Sequence, residues 1–330
     1  MTIFGAGISG LVASICLAKS DFNVEVRDKR EQVGGSPKWH PSVHQQNFDL
    51  AKTSEYIGID LTKCFHPVSE HSFYFYGRKS KIISPQNSYV VIKGPHPLSI
   101  ETYLFSIAKK LGVHFVFGEK LDVEAINTAK PGTQHYIIAT GLELKTYRDL
   151  GIKHSIIQGF RSSRTCEKQE SVYSFFGDYT NHDFAYIASF DDLMFSLLFA
   201  RKGVDKNNLN TFNSHLMENE GLSFDGWKFS SGCVPIEKNL IKNGFVLAGT
   251  ISGMIDPFYL NGISGALISG KIASQYFINK KKAYKDYNKF TKNFYIKKKL
   301  KKIADLLPAK KYSFPLIALL NNYIKWVGVV

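Results

Sequence analysis

The start of the chain alternates between apolar segments and a glycine-rich turn, and this pattern predicts a strand, a turn, a helix and a second strand. Residues 3–4 end an apolar strand, residues 5–10 have the spacing GxGxxG, and residues 11–19 predict a helix. A second apolar strand at 24–26 is followed by Asp28. Strand, glycine turn, helix, strand and acid in this order form a dinucleotide-binding fingerprint.

The fingerprint requires each glycine of the turn for a different physical reason. Gly5 permits the tight turn, Gly7 lets a pyrophosphate approach the backbone, and Gly10 lets helix and strand pack closely. The pyrophosphate then lies at the N-terminus of the helix, where unpaired N–H groups favour an anion. The carboxylate of Asp28 can accept hydrogen bonds from a ribose. The predicted cofactor contacts of this unit are Gly5, Gly7, Ile8, Ser9, Gly10, Asp28 and Lys29.

A second glycine pair, Gly34-Gly35, distinguishes FAD from NAD as the cofactor. In flavoproteins such a pair follows the acid and approaches the FAD, so Gly35 and Ser36 are predicted cofactor contacts. An NAD-binding domain would more often continue into another strand–helix repeat, whereas a long mixed segment follows here. The alternative is an ordinary turn after the second strand. The pattern favours FAD.

The middle of the chain predicts further strands and a helix. Residues 72–93 form short apolar runs joined by a turn at Gly77, and residues 97–111 predict a helix. A later apolar strand ends in small residues at Gly141. Residues 172–200 are rich in aromatic and apolar residues, and they predict a sheet on the substrate side.

The second informative stretch is residues 244–266. It predicts a strand, a glycine-containing loop, Asp256-Pro257, and a helix that begins at Asn261-Gly262-Ile263 and continues to about residue 277. The N-terminus of a helix directed at the pyrimidine end of a flavin can stabilise the negative charge of the reduced form. The alternative is a glycine-rich helix that only packs against a sheet.

Basic residues are concentrated near the end of the sequence. The 330 residues carry a net charge of +14, and residues 280–302 are dominated by lysine. Residues 314–330 then form an apolar segment that contains Trp326. Lysines beside apolar residues are typical of a segment at an anionic membrane surface, so we expect that surface, and no nucleic acid, as a partner. A solvated lysine-rich helix, or a last helix packed on the substrate domain, is the alternative.

Cysteine spacing and hydropathy bear on localisation. The four cysteines show no CxxC spacing, which indicates a reduced compartment. The first strand begins at once, which leaves no room for a signal peptide, and no apolar run reaches the ~18 residues of a spanning helix. We therefore expect a cytoplasmic protein with peripheral contact to the inner face of the membrane.

A metal site is not predicted. His40 and His44 have the spacing of a helical HxxxH pair, but Pro41 argues against a regular helix there. No third ligand stands at a suitable interval.

The combined motifs resemble the FAD-dependent geranylgeranyl reductase family, within the larger group of p-hydroxybenzoate hydroxylase-like flavoproteins. The resemblance depends on Gly5–Gly10, Gly35-Ser36-Pro37, Ala139-Thr140-Gly141 and the late block AGTISGMIDPFYLNGI. It implies an α/β fold: a Rossmann-like FAD-binding domain, a mixed β-sheet substrate domain and a C-terminal helical segment. The expected boundaries are 1–71, 97–171 and 233–278 for the FAD-binding domain, 72–96 and 172–232 for the substrate domain, and 279–330 for the helical segment.

The resemblance also implies roles for residues of the late block. Pro257 would lie beside the isoalloxazine, and the N–H groups of Gly262 and Ile263 near its pyrimidine oxygens. The implied cofactor contacts beyond the opening turn are Thr140, Gly141, Gly249, Thr250, Asp256, Pro257, Gly262 and Ile263.

The chain differs from the family pattern at three places. The Gly-Asp of the family is Gly249-Thr250, and Pro97 stands where a helix-starting arginine is usual. His40 stands where archaeal reductases have a cysteine near the flavin, and it is the candidate catalytic residue.

The implied function is an FAD-dependent oxidoreductase that reduces a C=C bond of a hydrophobic, isoprenoid or lipid-like substrate. No second nucleotide-binding fingerprint is evident, so the electron donor is NAD(P)H bound transiently or a redox protein. An apolar wall is expected from Phe175, Phe176, Tyr186, Phe190 and Phe195, although such residues also form ordinary cores. The alternatives are an FAD-dependent monooxygenase, a non-redox flavin-dependent cyclase, and a non-catalytic protein with this fold.

Overall fold

A computed structural model describes most of the chain: residues 1–34, 38–45, 48–83, 88–128, 135–167, 170–181 and 183–306. Gly35, Ser36 and the apolar segment at 314–330 therefore lie outside the described residues. Strands and helices are numbered along the chain below.

A six-stranded sheet forms the first layer. Its strands are β1 (Thr2–Phe4), β2 (Glu25–Asp28), β8 (His114–Phe117), β9 (Tyr136–Ile138), β15 (Ile241–Lys242) and β16 (Phe245–Leu247). The order across the sheet is β15-β16-β9-β1-β2-β8, and all neighbours are parallel except β15 and β16. The chain order therefore reverses beside β1, and ligands of such sheets bind at the carboxyl ends of the strands at this point.

The helices of the described residues are α1 (Ile8–Ala18), α2 (Leu50–Ile57), α3 (Ile100–Lys110), α4 (Val123–Thr128), α5 (Leu144–Asp149), α6 (Lys206–Glu220), α7 (Ile263–Ile278), α8 (Lys280–Thr291) and α9 (Phe294–Leu306). Helix α1 is buried along nearly its whole length, between the first sheet, α3 and α7. A Cβ added at Gly270 would lie 2.5 Å from the carbonyl oxygen of Ser9, so α1 and α7 pack in close backbone contact. None of the helices among the described residues is long and apolar enough to cross a membrane.

A seven-stranded sheet forms the second layer. Its strands are β5 (Glu70–Phe75), β6 (Arg78–Ile83), β10 (His154–Thr165), β11 (Val172–Phe176), β12 (Phe184–Phe190), β13 (Leu193–Ala200) and β14 (Lys228–Pro235). Their order is β14-β10-β13-β12-β11-β5-β6, with only the β11–β5 pair parallel within the described sheet. One face of this sheet packs on α6, through Leu198 and Phe212 among others.

A small third sheet covers part of the opposite face. Its strands are β3 (His40–Gln45), β4 (His66–Pro67) and β7 (Ser88–Lys93), in the order β3-β7-β4. Val43 of β3 packs against Tyr186, Ala188 and Phe195 of the seven-stranded sheet.

The predicted fold class is confirmed: a Rossmann-like sheet, a mixed second sheet and C-terminal helices are all present. Strand β3 begins at His40 and includes Pro41, in agreement with the argument that Pro41 opposes a regular helix there. One detail differs from expectation. Strand β10 pairs with β13 and β14 in the second sheet, although it falls within the segment 97–171 that was expected in the FAD-binding domain. The domain boundaries stay a prediction.

Candidate functional site

The glycine turn lies directly on the end of strand β9. Gly5 has a φ of +113°, and a Cβ added to it would overlap the carbonyl oxygen of Ala139 and lie 2.8 Å from its carbonyl carbon. A Cβ added at Gly10 would overlap the carbonyl oxygen of Gly5. Only glycine fits either position, because the backbone itself occupies the place of a side chain.

The opposite side of the turn is open. A Cβ added at Gly7 would meet nothing within 4 Å, and Gly7 is the N-cap of α1 without a side-chain cap. The first N–H groups of a helix lack partners within the helix. The structure thus places open space over an uncapped helix N-terminus, as an anion requires.

Asp28 is held at this turn from the end of β2. Its Oδ2 accepts a hydrogen bond of 2.7 Å from the N–H of Ala6, and its Oδ1 accepts one of 2.9 Å from the N–H of Arg30. The neighbouring Lys29 forms an ion pair of 2.7 Å with Glu143. Asp28 lies where a ribose acceptor was predicted, and the carboxylate also stabilises the turn.

Three further predicted segments meet at the same turn. A Cβ added at Gly249 would lie 2.6 Å from Ser9 Oγ, and one added at Gly262 would lie 3.5 Å from Thr250 Oγ1. Thr140, at the end of β9, has a buried Oγ1 that makes no hydrogen bond with any described residue. The four predicted cofactor segments are therefore adjacent in space, around Gly5–Gly10.

The loop before α7 is closed by its own aspartate. Asp256 Oδ1 accepts hydrogen bonds from the N–H groups of Phe258 and Tyr259, at 2.7 and 2.8 Å. Its Oδ2 accepts one of 2.8 Å from Lys297 Nζ. Asp256 is fully buried, and its predicted role as a cofactor contact stays a prediction. The carboxylate supports the loop through these three hydrogen bonds within the protein.

Arg201, directly after the last residue of strand β13, holds the same loop. Its Nη1 donates to the carbonyl oxygen of Pro257 at 2.5 Å, and its Nη2 donates to that of Phe258 at 2.8 Å. The guanidinium also pairs with Asp183. Sequence reasoning missed this arginine, since nothing in the pattern of β13 distinguishes it from an ordinary strand-terminal cation.

The lysine-rich segment is not a uniformly solvated face. Lys297 and Lys301 are 3% and 4% exposed, on the face of α9 that also carries Phe294 and Ala304. The spacing of these four residues by three and four positions follows a helix face, which was a usable signal. Sequence reasoning placed both lysines outside because lysine is almost never buried unless it is paired.

His40, the candidate catalytic residue, lies at the start of β3. Its ring stacks on Phe195 with centroids 4.4 Å apart, and its Nδ1 lies 3.3 Å from the carbonyl oxygen of Pro41. Burial, and then the positive charges of Lys93 and Arg161, lower its pKa from 6.5 to about 4. The imidazole is therefore neutral at pH 7, so it is not an imidazolium acid at that pH. Its catalytic role stays a prediction.

Four of the five aromatic residues expected in the apolar wall lie on one face of the second sheet. The pairing register places Phe176, Tyr186, Phe190 and Phe195 on the face of the second sheet that packs on β3 and β7. Phe176 also packs with Phe258 of the loop before α7. Phe175 lies on the opposite face and packs edge-on against Phe212 of α6, so its predicted place in the wall is wrong.

The described part of the chain contains no group of three or more histidine, cysteine or acidic side chains that could bind a metal ion. His44 is fully buried among aromatic rings, 4.5 Å from Phe48 and 5.7 Å from Phe65 between centroids.

Comparison with known proteins agrees with this geometry. Residues 3–50 match the model of the NAD(P)-binding Rossmann-like domain family. No curated protein matches the sequence significantly.

Solved structures resemble the chain over nearly its whole length. A geranylgeranyl bacteriochlorophyll reductase-like protein from Thermoplasma acidophilum is 16% identical, with a TM-score of 0.67 over 98% of this chain and 95% of that one. The flavin-dependent brominase Bmp2 is 14% identical, with a TM-score of 0.64 over 99% and 92%. A variant of the halogenase PltM in complex with FAD is 12% identical, with a TM-score of 0.60 over 88% and 72%.

These likenesses concern the fold, and they confirm at that level the resemblance inferred from the motifs. Residues 3–50 are similar to the NAD(P)-binding Rossmann-like domain, and the whole chain has the fold seen in a geranylgeranyl bacteriochlorophyll reductase-like protein and in flavin-dependent halogenases.

Proposed function

We propose that the protein is an FAD-dependent oxidoreductase that reduces a C=C bond of a hydrophobic substrate. One observation carries this proposal: four separate glycine-containing segments meet at the carboxyl ends of β1, β9 and β16, and they leave open space over Gly7. A nucleotide cofactor fits this arrangement for a second reason. The buried Oγ1 of Thr140 makes no hydrogen bond with the described residues, and a bound cofactor could supply its partner.

The residues that would hold FAD follow from this geometry. The N-terminus of α1 would bind the pyrophosphate, and Asp28 would accept hydrogen bonds from the adenosine ribose. Thr140 Oγ1 would gain its missing partner from the cofactor. The loop at residues 256–262 and the N-terminus of α7 would lie at the isoalloxazine. When bound and reduced by the electron donor, NAD(P)H or a redox protein, FAD would supply the electron pair that is added to the substrate as hydride.

The aromatic face of the second sheet is suited to bind an apolar substrate. The face that carries Phe176, Tyr186 and Phe195 lies beside the loop before α7, and Phe176 packs with Phe258 of that loop. An isoprenoid or lipid-like chain suits such a face, because burial of its apolar surface stabilises binding. The name of the Thermoplasma acidophilum protein also refers to a geranylgeranyl group.

The proton that completes the reduction is proposed to come from water. His40 is neutral at pH 7, because burial and the neighbouring cations lower its pKa to about 4. Its proposed role is to orient that water or the substrate through its ring nitrogens. The side chains of the second sheet would exclude other water from the reacting carbons.

A visible spectrum of the purified protein tests the proposal. Bound flavin gives absorption bands in the visible range, and mass analysis of the released compound identifies FAD. The protein is then reduced anaerobically with dithionite and mixed with geranylgeraniol in detergent. Reoxidation of the flavin together with a product heavier by two hydrogen atoms supports the reductase.

The other outcomes separate the alternatives. Oxygen-dependent insertion of one oxygen atom into the substrate indicates a monooxygenase. Conversion of the substrate without net change in its mass indicates a cyclase. A colourless protein that takes up no FAD contradicts the proposal and leaves a non-catalytic protein with this fold.

We also propose that the exposed face of α9 contacts an anionic membrane surface. Tyr295, Ile296 and Ile303 are each about half exposed, and Leu306 is 79% exposed. Lys299 and Lys302 are exposed on the same helix. Apolar side chains interleaved with lysines suit the interface between head groups and acyl chains. Such contact would bring a lipid substrate to the protein without a passage through water.

A further inference from the structure

A cluster of buried and partly buried charges joins the loop before α7 to the C-terminal helix α9. It consists of three carboxylates and three cations, so its formal charge at pH 7 is zero. We call it the charge cluster, and its members are Asp183, Arg201, Asp256, Lys297, Lys301 and Asp305.

One half of the charge cluster is the pair of Lys297 and Asp256. The Nζ and Oδ2 atoms are 2.8 Å apart, and the side chains are 4% and 0% exposed. Asp256 also accepts two backbone hydrogen bonds from the turn that follows it. Because both side chains are almost fully excluded from solvent, removal of the lysine alone would leave an uncompensated carboxylate inside the protein.

The other half connects α9 to the second sheet. Lys301 Nζ lies 2.7 Å from Asp305 Oδ1 and 3.5 Å from Asp183 Oδ1. Asp183 also pairs with Arg201, whose Nη atoms donate to the carbonyl oxygens of Pro257 and Phe258. The loop is therefore held from two sides. Lys297 of α9 pairs with the aspartate of the loop, and Arg201 donates hydrogen bonds to two carbonyl oxygens of the loop.

The position of this loop determines the position of the helix that follows. The N–H of Asp256 donates to the carbonyl oxygen of Asn261 at 2.9 Å, and the N–H of Ile263 donates to Asn261 Oδ1 at 3.3 Å. Leu260, between them, has a φ of +59°, a conformation that side chains rarely adopt. A turn closed in this way transmits a shift of Asp256 to the N-terminus of α7.

We propose that α9 is part of the cofactor site and that Lys297 is a positioning residue, which through Asp256 sets the loop and the N-terminus of α7 against the flavin. This inference rests on the proposed function, since it requires bound FAD. It assigns to the lysine-rich helix a role inside the protein as well as at its surface.

The sign of the effect on the flavin follows from the charges. Without the Lys297 ammonium, the carboxylate of Asp256 would place an unbalanced negative charge beside the reduced flavin. That charge disfavours the anionic reduced form, so the midpoint potential of the bound flavin should become more negative. A side chain that only stabilised the fold would change the unfolding temperature without this change in potential.

Three variants test the proposal beside the wild-type protein. Lys297→Met removes the charge at similar volume, and Lys297→Met combined with Asp256→Asn removes both charges of the pair. Lys299→Met is the matched control, because Lys299 is exposed on the same helix. The measurements are FAD affinity by titration, midpoint potential by spectroelectrochemistry, and unfolding temperature.

Lys297→Met should weaken FAD binding at least about tenfold and lower the midpoint potential. The double variant should recover most of both losses, and Lys299→Met should match the wild type. Unchanged affinity and potential in Lys297→Met would overturn the proposal, as would a double variant as impaired as the single one. If Lys297→Met does not fold, the double variant must still bind FAD with nearly wild-type affinity and potential. Failure of the wild-type protein to bind FAD would instead refute the proposed function.

Discussion

Two glycines of the opening turn, Gly7 and Gly10, should differ in how the same substitution changes the stability of the apoprotein. The perturbation is one methyl group, introduced as Gly7→Ala or Gly10→Ala. At Gly10 the new Cβ would overlap the carbonyl oxygen of Gly5 and lie 3.1 Å from its carbonyl carbon. At Gly7 it would meet nothing within 4 Å.

The expected magnitudes differ accordingly. Atoms in ordinary contact are ~3.5–4 Å apart, so Gly10→Ala must displace the backbone of the turn. Such overpacking costs roughly 1–3 kcal/mol of the free energy of unfolding. Gly7 has a φ of −83°, which alanine adopts without strain. Gly7→Ala reduces the conformational freedom of the unfolded chain, which raises the free energy of unfolding by about 0.4–1 kcal/mol. Alanine is a poorer N-cap residue than glycine, which lowers it by a similar amount. The stability of the apoprotein should therefore stay within about 1 kcal/mol of the wild type.

FAD affinity should fall in both variants, because the Gly7 methyl group would occupy the space predicted for the pyrophosphate. Loss of two charge-assisted hydrogen bonds, each contributing roughly 1.5–3 kcal/mol, would weaken FAD binding by about 10²- to 10⁴-fold. Urea unfolding of the apoproteins and FAD titration measure the two quantities separately. If Gly7→Ala bound FAD like the wild type, the pyrophosphate would lie elsewhere and the proposed cofactor position would be wrong.

Two further predictions concern other parts of the molecule. Burial lowers the pKa values of His40 and His44 to about 4 and that of His71 to about 3, from 6.5. The unfolded chain then binds more protons than the folded one, so stability should be lost as the pH falls from about 6.5 towards 4, by up to ~1.4 kcal/mol per pH unit for each histidine. His44→Phe should make this loss less steep in urea unfolding at several pH values, and an unchanged pH slope would contradict the assignment. Separately, the full-length protein should co-sediment with anionic and not with neutral liposomes. Added salt or the pair Lys299→Glu and Lys302→Glu should abolish that binding, and a protein that stays in the supernatant with anionic liposomes at low salt would refute the membrane contact.

The opening turn and its neighbours could be predicted because they follow from rules of parallel sheets. The glycine spacing and Asp28 identify the first strand–helix–strand unit, and small residues such as Thr140 mark the end of another strand. Since carboxyl ends of parallel strands meet at one edge of a sheet, these segments were expected to converge. The structure brings them together through close backbone contacts that glycine alone permits.

The second sheet could be predicted only in outline. Residues 172–176 are apolar or aromatic at nearly every position, so the alternation that identifies a buried face is absent. The register of β11 with β12 decides that Phe176 belongs to the wall and that Phe175 faces α6. The register between two strands is set by packing in the folded protein, and the pattern within one strand does not contain it.

The charge cluster could not be predicted for a different reason. A lysine-rich run normally indicates a solvated helix, since a lone buried ammonium is too costly. Lys297 and Lys301 are buried because Asp256, Asp183 and Asp305 reach them from other elements or from the next turn. Burial of Lys297 thus depends on Asp256, which is 41 positions away in sequence.

The two ends of the proposed cofactor site are therefore built in different ways, and they should tolerate change differently. At Gly5 and Gly10, backbone atoms occupy the space of a side chain, so no compensating change elsewhere makes room for one. At Asp256 and Lys297, position depends on a buried pair of opposite charges. Such a pair contributes little stability relative to apolar residues, yet loss of one partner is strongly destabilising. Substitutions at the turn should thus be harmful one by one, whereas substitutions at the pair should be harmful singly and tolerated together.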